Sequence, residues 1–276
     1  MDGIILINKE EGISSFKVVE RVKKKLGLKN LGHTGTLDPF ATGLLIGCVN
    51  KATKISSIFT ALDKTYEATI VFGEERETDD ITSKVINKSE NIPSITDIEK
   101  IIPRFIGEIE QAPPKYSAIR INGQRAYELA RKGKEFEIRP RKVHLYSLKI
   151  ISYKKPELVI TIRCSSGFYV RSLARDLGRS LNSYAYLSSL KRTKVGEFSI
   201  EESKFIKDID IKDIIPIKDA IKFLPEKLFN EEEYNQFKEK GHINLEESKN
   251  FYKIFFKDVL IGITDKTGKI IYRSPL

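Results

Sequence analysis

The most informative stretch of the sequence is Leu31-Gly-His-Thr-Gly-Thr-Leu-Asp-Pro-Phe-Ala-Thr-Gly-Leu-Leu45. Its first part, residues 31–43, contains three glycines, one proline and a single acidic residue, Asp38. Clusters of glycine, proline and threonine of this kind predict a loop. The apolar run Leu44–Val49 that follows predicts a strand.

Asp38 is the residue of this loop best suited to take part in a chemical reaction. A lone carboxylate in an uncharged, glycine-rich loop is suited to act as a nucleophile or a base. Aspartate followed by proline also initiates turns, in which case Asp38 is only structural. The loop by itself leaves both roles open.

Outward from the loop, hydrophobic periodicity predicts a mixture of helices and strands. A helix with Phe16, Val19, Val22 and Leu26 on its apolar face is expected to begin at Ser14 or Ser15. Strict alternation predicts a half-buried strand over 64–73, and further strands are expected at 143–152 and 157–165, followed by a helix near 169–181. Because the order shows no regular βαβ rhythm, we predict an α+β fold with a mixed, mostly antiparallel sheet.

Composition excludes several classes of protein. The chain has 276 residues with only two cysteines and three histidines, which argues against a disulfide scaffold and against a zinc module. No apolar run approaches the ~20 residues of a membrane helix, and no secretory signal is apparent, so a cytoplasmic protein is expected. No glycine-rich phosphate loop or dinucleotide fingerprint is present, so no nucleotide cofactor is expected.

Charge is distributed unevenly along the chain. Residues 1–200 carry 34 basic and 23 acidic side chains, a net of +11, whereas residues 201–276 carry 14 basic and 15 acidic ones, a net of −1. An excess of this size favours a polyanionic partner, with nucleic acid as the first candidate. A generally lysine-rich composition explains the same excess, and charge alone does not separate the two.

Two segments differ from the rest in composition. Residues 111–142 combine Gln111-Ala-Pro-Pro-Lys-Tyr-Ser-Ala, an Asn122-Gly123 turn and many Arg and Lys, which predicts a basic excursion from the core. The C-terminal part has an acidic helix at Glu231–Gly241 and β-like runs at Tyr252–Phe256, Val259–Thr264 and Ile270–Tyr272. This part is expected to form a small β-rich appendage.

Several motifs together resemble one known family. The stretch Gly32–Leu45 resembles the signature loop of the bacterial tRNA pseudouridine-55 synthases, the TruB family. Lys64-Thr-Tyr-Glu-Ala-Thr resembles the second motif of that family, and Cys164-Ser-Ser-Gly-Phe-Tyr-Val-Arg171 resembles the third. The segment Gln111–Arg131 resembles the start of its RNA-gripping insertion. Because the motifs occur in the family's order over residues 3–200, the resemblance is specific.

The resemblance implies an activity and a domain organisation. It implies isomerisation of a uridine in the T loop of tRNA without cofactor or metal, after the base is flipped out of the RNA stack. It implies a catalytic domain at 1–223 with an insertion at about 108–142, a short PUA-like RNA-binding domain at 224–276, and a monomer.

The resemblance also implies residue roles. Asp38 is expected to be the essential carboxylate, Tyr66 to stack on the target base, and Arg171 to pair with Asp38 and keep it ionised. The expected substrate-binding residues are His33, Gly35, Thr36, Lys64, Tyr169 and Leu190. The expected contacts to the tRNA backbone are Arg131, Lys132, Arg139, Arg141 and Lys142.

Two alternatives remain open on the sequence. One is the same fold acting on another RNA. The other is a non-catalytic RNA-binding protein, although the joint presence of Asp38, Tyr66 and Arg171 argues against it.

Overall fold

The computed structural model describes residues 1–121, 123–240 and 251–274. The predicted Asn122-Gly123 turn, the expected helix end at Gly241 and parts of the 224–276 segment therefore lie wholly or partly outside the described residues. Within the described ranges, none of the helices combines the length and the apolar character that crossing a bilayer requires.

Strands form the larger part of the fold. In chain order they are β1 Gly3–Lys9, β2 Leu31–Thr34, β3 Thr42–Val49, β4 Lys64–Phe72, β5 Glu74–Arg76, β6 Val85–Lys88, β7 Gly107–Gln111, β8 Arg120–Ile121, β9 Gln124–Arg125, β10 Arg141–Lys154, β11 Glu157–Cys164, β12 Ala185–Val195, β13 Phe198–Ser199, β14 Ile215–Pro216, β15 Glu226–Leu228, β16 Tyr252–Phe256, β17 Val259–Thr264 and β18 Ile270–Arg273.

The helices are short and lie between these strands. The α-helices are α1 Ser15–Lys25, α2 Ser56–Ala61, α3 Ile95–Ile101, α4 Ala126–Arg131, α5 Val170–Ser180, α6 Ile217–Ala220 and α7 Glu231–Lys240. Short 3₁₀ helices occur at Asn50–Ile55, Ile102–Phe105, Ile200–Glu202 and Ile211–Asp213.

One large sheet organises the first 216 residues. Its strand order is β14-β1-β3-β12-β4-β11-β10-β7, with β2 added beside β3 and β13 beside β12. Among these pairs only β3 and β12 run parallel. The C-terminal strands β15 to β18 form a separate four-stranded sheet. The predicted fold class, α+β with a mixed, mostly antiparallel sheet and a small C-terminal β unit, is confirmed.

The parallel pair at the centre of the sheet depends on Gly43. A Cβ at this position would lie 2.3 Å from the carbonyl oxygen of Arg192, and the φ of +101° is one that side chains rarely adopt. Only glycine permits the backbones to approach this closely. The close approach places the loop before β3 against strands β12 and β4.

Two sequence expectations near the N-terminus are wrong. Residues Leu31–Thr34 form a strand paired with β3 rather than the beginning of the loop, because the ladder with Ile46–Val49 satisfies their backbone groups. Phe16, expected in the core, is 64 % exposed, whereas Val18, Val19 and Val22 form the buried face of α1. The helix begins at Ser15 with Ser14 as its N-cap, as expected, but Ser15, Val18 and Val22, at spacings of three and four residues, form the buried face and Phe16 lies off it.

The basic excursion leaves and re-enters the large sheet at its edge. Strands β7 and β10 pair from Gly107 opposite Leu145 to Gln111 opposite Arg141. The part outside this sheet is therefore 112–140, a few residues shorter at each end than the expected 108–142. It contains the hairpin β8–β9 and helix α4.

The C-terminal sheet packs against the large one. Ile263 and Tyr272 are buried in a cluster that also contains Ile4 and Phe59. A second cluster around Phe237 and Ile254 joins α7 to its own sheet. The apolar contacts with the N-terminal part supply burial that ~50 residues would lack alone.

Candidate active site

One cleft of about 990 Å³ brings most of the predicted site residues together. Its walls are the loop at 35–40, strands β4 and β12, the start of α5 and part of the excursion. The predicted residues that line it are His33, Gly35, Thr36, Asp38, Lys64, Tyr66, Arg131, Arg141, Tyr169, Arg171 and Leu190.

The loop that carries Asp38 is anchored on both sides of the carboxylate. Before it, the Ser15 hydroxyl accepts a hydrogen bond from the Leu37 N–H at 2.9 Å and donates one to the Leu37 carbonyl at 2.9 Å. After it, the buried Lys9 ammonium donates to the carbonyl of Pro39 at 3.1 Å and to that of Ala41. These contacts leave the Asp38 backbone little freedom, as a pre-organised reactive group requires.

Arg171 joins three segments at the bottom of the cleft. Its Nε lies 2.9 Å from Oδ2 of Asp38, and its Nη2 donates to Oδ1 at 3.1 Å. Its Nη1 lies 3.2 Å from Oδ2 of Asp80. The guanidinium also donates to the carbonyls of Thr78 at 3.0 Å and Tyr116 at 3.1 Å. The planar fork of arginine allows one buried side chain to bridge two carboxylates.

Two further arginines continue this arrangement along α5. Arg175 and Arg179 follow Arg171 at intervals of four residues, which places the three on one helix face. Arg175 lies 3.1 Å from Asp79, and Arg179 contacts Glu75. A row of ion pairs thus fastens the segment 75–80 to the helix that presents Arg171.

Burial and the ion pair with Arg171 act in opposite directions on the pKa of Asp38. Burial in the cleft raises the pKa of this carboxyl above its ordinary value, and the Arg171 guanidinium, the largest opposing influence, lowers it only in part. Because Arg171 is shared with Asp80, the second carboxylate reduces its effect on the first. The expected pairing is present and Arg171 lowers the pKa, but burial has the larger effect.

Tyr66, on strand β4, lines the same cleft as Asp38. Its side chain belongs to the main hydrophobic cluster and also lines the cleft. Tyr66 is therefore both a core residue and a residue of the cleft wall. Arg192 is directly opposite on β12. Burial raises the pKa of the Tyr66 phenol, whereas the neighbouring Arg192 guanidinium opposes the rise.

Two basic residues of the cleft have lowered pKa values. Burial, followed by the charge of Arg192, lowers the pKa of His33 below its ordinary value. Burial also lowers the pKa of Lys64 to about 8. The Lys64 ammonium donates to the carbonyls of Thr60 at 2.5 Å and Leu62 at 2.6 Å, which fixes its side chain at the wall of the cleft.

Tyr169 lines the same cleft, and two side chains hold it in place. The Gln111 side chain holds the backbone of Tyr169 by two hydrogen bonds, one accepted from its N–H at 2.8 Å and one donated to its carbonyl at 3.1 Å. The Arg141 guanidinium lies 4.9 Å from the centre of the Tyr169 ring and donates to the carbonyl of Gly167. Arg141 is therefore a part of the cleft wall as well as a surface charge.

Three of the expected RNA-backbone residues do not line the cleft. Lys132 and Arg139 are exposed in the excursion outside it. Lys142 lies at the sheet edge, 2.9 Å from Glu108 in an exposed ion pair. Pairing in β10 with strand β7 places Lys142 on the main sheet rather than in the excursion.

Sequence reasoning missed three residues that build the site. Lys9 and Asp80 reach it from positions far from any motif, and Arg192 is 1 % exposed at the cleft wall. The Arg192 side chain donates to the carbonyls of Leu44 and Gly35, each at 2.8 Å. The sequence contained a signal for Arg192. It follows the predicted site residue Leu190 by two positions on a strand, so both side chains lie on the same face.

Comparison with known proteins shows which family this chain resembles. Residues 23–170 match the family model described as the TruB family pseudouridylate synthase N-terminal domain. The tRNA pseudouridine synthase B of Borreliella afzelii is 42 % identical over 255 residues, which cover 92 % of this chain and 90 % of that protein. The protein of the same description from Aquifex aeolicus is 39 % identical over 280 residues, which cover 98 % of both chains.

A solved structure shares the fold at lower identity. The crystal structure of a Cbf5-Nop10-Gar1 complex contains a chain that matches with a TM-score of 0.73 at 23 % identity. The match covers 95 % of this chain and 78 % of that one. Since the family model covers more than half of the chain and the relatives align over nearly all of it, this protein belongs to the TruB family of pseudouridylate synthases.

Proposed function

We propose that this pseudouridine synthase isomerises uridine 55 in the T loop of tRNA, with Asp38 as its essential carboxylate. The observation that carries the proposal is the Asp38 carboxylate held by Arg171 in a cationic cleft. The relatives named tRNA pseudouridine synthase B support tRNA as the substrate. A tRNA substrate also supports the expected cytoplasmic location.

The reaction exchanges one glycosidic bond for another within the nucleotide. The N1–C1′ bond breaks, the uracil turns in place, and a C5–C1′ bond forms while the C5 proton leaves and N1 gains one. Asp38 either attacks the nucleoside or removes a proton, and either role requires its ionised form. Arg171 positions the carboxylate, and Tyr66 presents its ring to the uracil and is suited to accept a proton late in the reaction.

Entry of the uridine into the cleft requires that the base leave the RNA stack. Flipping the base out of the stack costs a few kcal/mol of free energy, and contacts inside the pocket offset this cost. We assign Leu190, Tyr169 and Lys64 to the wall around the base, and Gly35 and Thr36 to the backbone beside it. His33, whose lowered pKa favours the neutral ring, is suited to fill the gap left in the loop.

The domain roles follow from the same proposal. The catalytic unit at 1–223 acts as a monomer, and the excursion grips the T-arm. The C-terminal unit at 224–276 is assigned to RNA binding as a short PUA-like domain.

The proposed substrate position is tested with an unmodified tRNA transcript and a matched transcript carrying cytidine at position 55. We expect one pseudouridine per tRNA at position 55 in the first and none in the second, measured by base-specific detection of pseudouridine. Product at another uridine of the same tRNA, with none at 55, would contradict the assignment. Product only on a different RNA would favour the alternative target.

The excursion makes a separate prediction about salt dependence. Arg125 and Arg131 are exposed and line the cleft, so their replacement by glutamine removes two phosphate contacts. We expect the slope of log K for tRNA against log salt to become shallower by roughly 1–2, because fewer counterions are released. The measurement is a filter-binding series at several salt concentrations.

Lys149→Gln provides the matched control for this series. Lys149 is an exposed lysine of β10 that does not line the cleft. Its replacement is expected to leave the slope unchanged. Equal slopes for the double variant and the wild type would assign Arg125 and Arg131 to a solvated surface.

A further inference from the structure

Phe16 is an exposed aromatic side chain at the start of helix α1. Its ring is 64 % exposed, although it is the second residue of α1 and follows the buried Ser15. Ser15 exchanges two hydrogen bonds with Leu37, the residue before Asp38. Phe16 is therefore fixed to the same rigid junction that holds the reactive loop.

The packing of helix α1 does not account for this ring. Val18, Val19 and Val22 supply the buried face of the helix. Phe16 instead lines the cleft that contains Asp38. Single exposed apolar residues are common on protein surfaces, but this one borders a functional cleft.

The charge of the cleft indicates what the ring meets. Among the described residues, the acidic side chains that line the cleft are Asp38 and Asp80, and both contact Arg171. The cationic ones besides Arg171 are Lys64, Arg120, Arg125, Arg131, Arg141 and Arg192. An aromatic face beside a cationic groove is the combination that binds unpaired nucleotides, since bases stack on the ring while phosphates meet the cations.

We propose that Phe16 is a stacking site for an unpaired nucleobase of the RNA loop, distinct from the uridine that reaches Asp38. The proposal rests on RNA being the substrate. Phe16 is 64 % exposed, whereas Tyr66 and Leu190 line the same cleft at 8 % and 7 %, so the base on Phe16 would lie at the open side of the cleft and outside the buried pocket of those two residues. The site would position the loop while the target uridine enters the cleft.

The chain offers a direct probe because it contains no tryptophan. In Phe16→Trp, all tryptophan emission comes from position 16, and stacking of a base on the indole quenches it. We expect unmodified tRNA to quench this emission with the same midpoint as an independent filter-binding assay. The T-stem duplex without its loop is expected to leave the emission unchanged, because its bases are paired.

Tyr146→Trp is the matched control. Tyr146 is also an exposed aromatic residue, at 42 %, but it is on β10 outside the cleft. The emission of this control variant is expected to be insensitive to tRNA. Equal quenching in both variants, or quenching of the Phe16→Trp variant by the stem duplex alone, would overturn the proposal.

Affinity gives a second, independent measurement. Phe16→Ala and Phe16→Leu are expected to weaken tRNA binding by roughly 5- to 100-fold, the range for loss of one stacked base. The salt slope is expected to stay at the wild-type value since no charge is removed, and the thermal midpoint is expected to stay unchanged since the ring is exposed. Full affinity in Phe16→Leu would show that apolar area rather than stacking matters, and would overturn the proposal.

The outcomes separate this proposal from the proposed function. If wild-type protein fails to bind or modify tRNA, the proposed substrate is wrong. If it binds and modifies tRNA while the emission of the Phe16→Trp variant does not respond, only the stacking site is wrong. A change of that emission with protein concentration, without RNA, would assign the ring to a contact between copies and overturn the stacking site.

Discussion

Asp38→Asn is expected to reduce pseudouridine formation on a tRNA transcript by at least about 10²–10⁴-fold. Asparagine has the same shape and its amide oxygen still accepts a hydrogen bond from Arg171, but it carries no charge. It can neither attack the nucleoside as a carboxylate nor accept a proton as a base. The measurement is the single-turnover rate with enzyme in excess over tRNA.

Folding and binding of the variant serve as its control. Burial disfavours the charged form of Asp38, so the neutral amide is expected to leave the thermal midpoint unchanged or slightly raised. Binding of tRNA is expected to persist, since the arginines proposed to contact the phosphates lie elsewhere in the cleft. Product at the wild-type rate would show that Asp38 is structural.

Arg171→Leu is expected to lower the free energy of unfolding by about 3–5 kcal/mol and to abolish activity. The wild-type side chain is 5 % exposed and touches Asp38 and Asp80 at 2.9 and 3.2 Å. Leucine would leave both carboxylates in the cleft without their shared cation. Urea unfolding measures the loss.

Two variants make this result interpretable. Arg163→Leu removes an arginine whose ion pair with Asp63 is shorter, at 2.7 Å, but 58 % exposed on the arginine side, so a loss of at most about 1 kcal/mol is expected. Adding Asp80→Asn to Arg171→Leu should restore part of the stability but none of the activity. A loss in Arg171→Leu no larger than in Arg163→Leu would remove Arg171 from its bridging role.

Local patterns were sufficient for most strands and for the loop around Asp38. The alternation in 64–73 predicted a strand that the structure places at Lys64–Phe72, and the three C-terminal β-runs coincide with β16, β17 and β18 to within one residue. These predictions succeeded because a half-buried strand repeats every two residues whatever lies beside it. The loop around Asp38 was recognisable because its glycines and its single charge are local features.

Local patterns failed where a neighbouring element decided the outcome. Leu31–Thr34 contains glycine and threonine and looked like a loop, yet pairing with β3 makes it a strand. Phe16 fitted a helical apolar face, but the face that packs in the core is the one that carries Val18 and Val22. Lys142 looked like part of an RNA-gripping excursion, whereas the register of β10 with β7 places it beside Glu108.

Residue order and composition were enough to predict the class of fold, the segment that carries the carboxylate and the uneven charge of the chain. Which charges share a buried site depends on how distant segments pack in the folded chain. Asp38 and Arg171 are separated by 133 residues, Asp80 and Arg171 by 91, and Arg192 and Gly35 by 157. The sheet register and the packing of α5 bring them together and remove them from water. Removing a charged group from water raises its free energy, and the sequence does not show which groups are buried. The direction in which the pKa of Asp38 shifts therefore became apparent only in the folded chain.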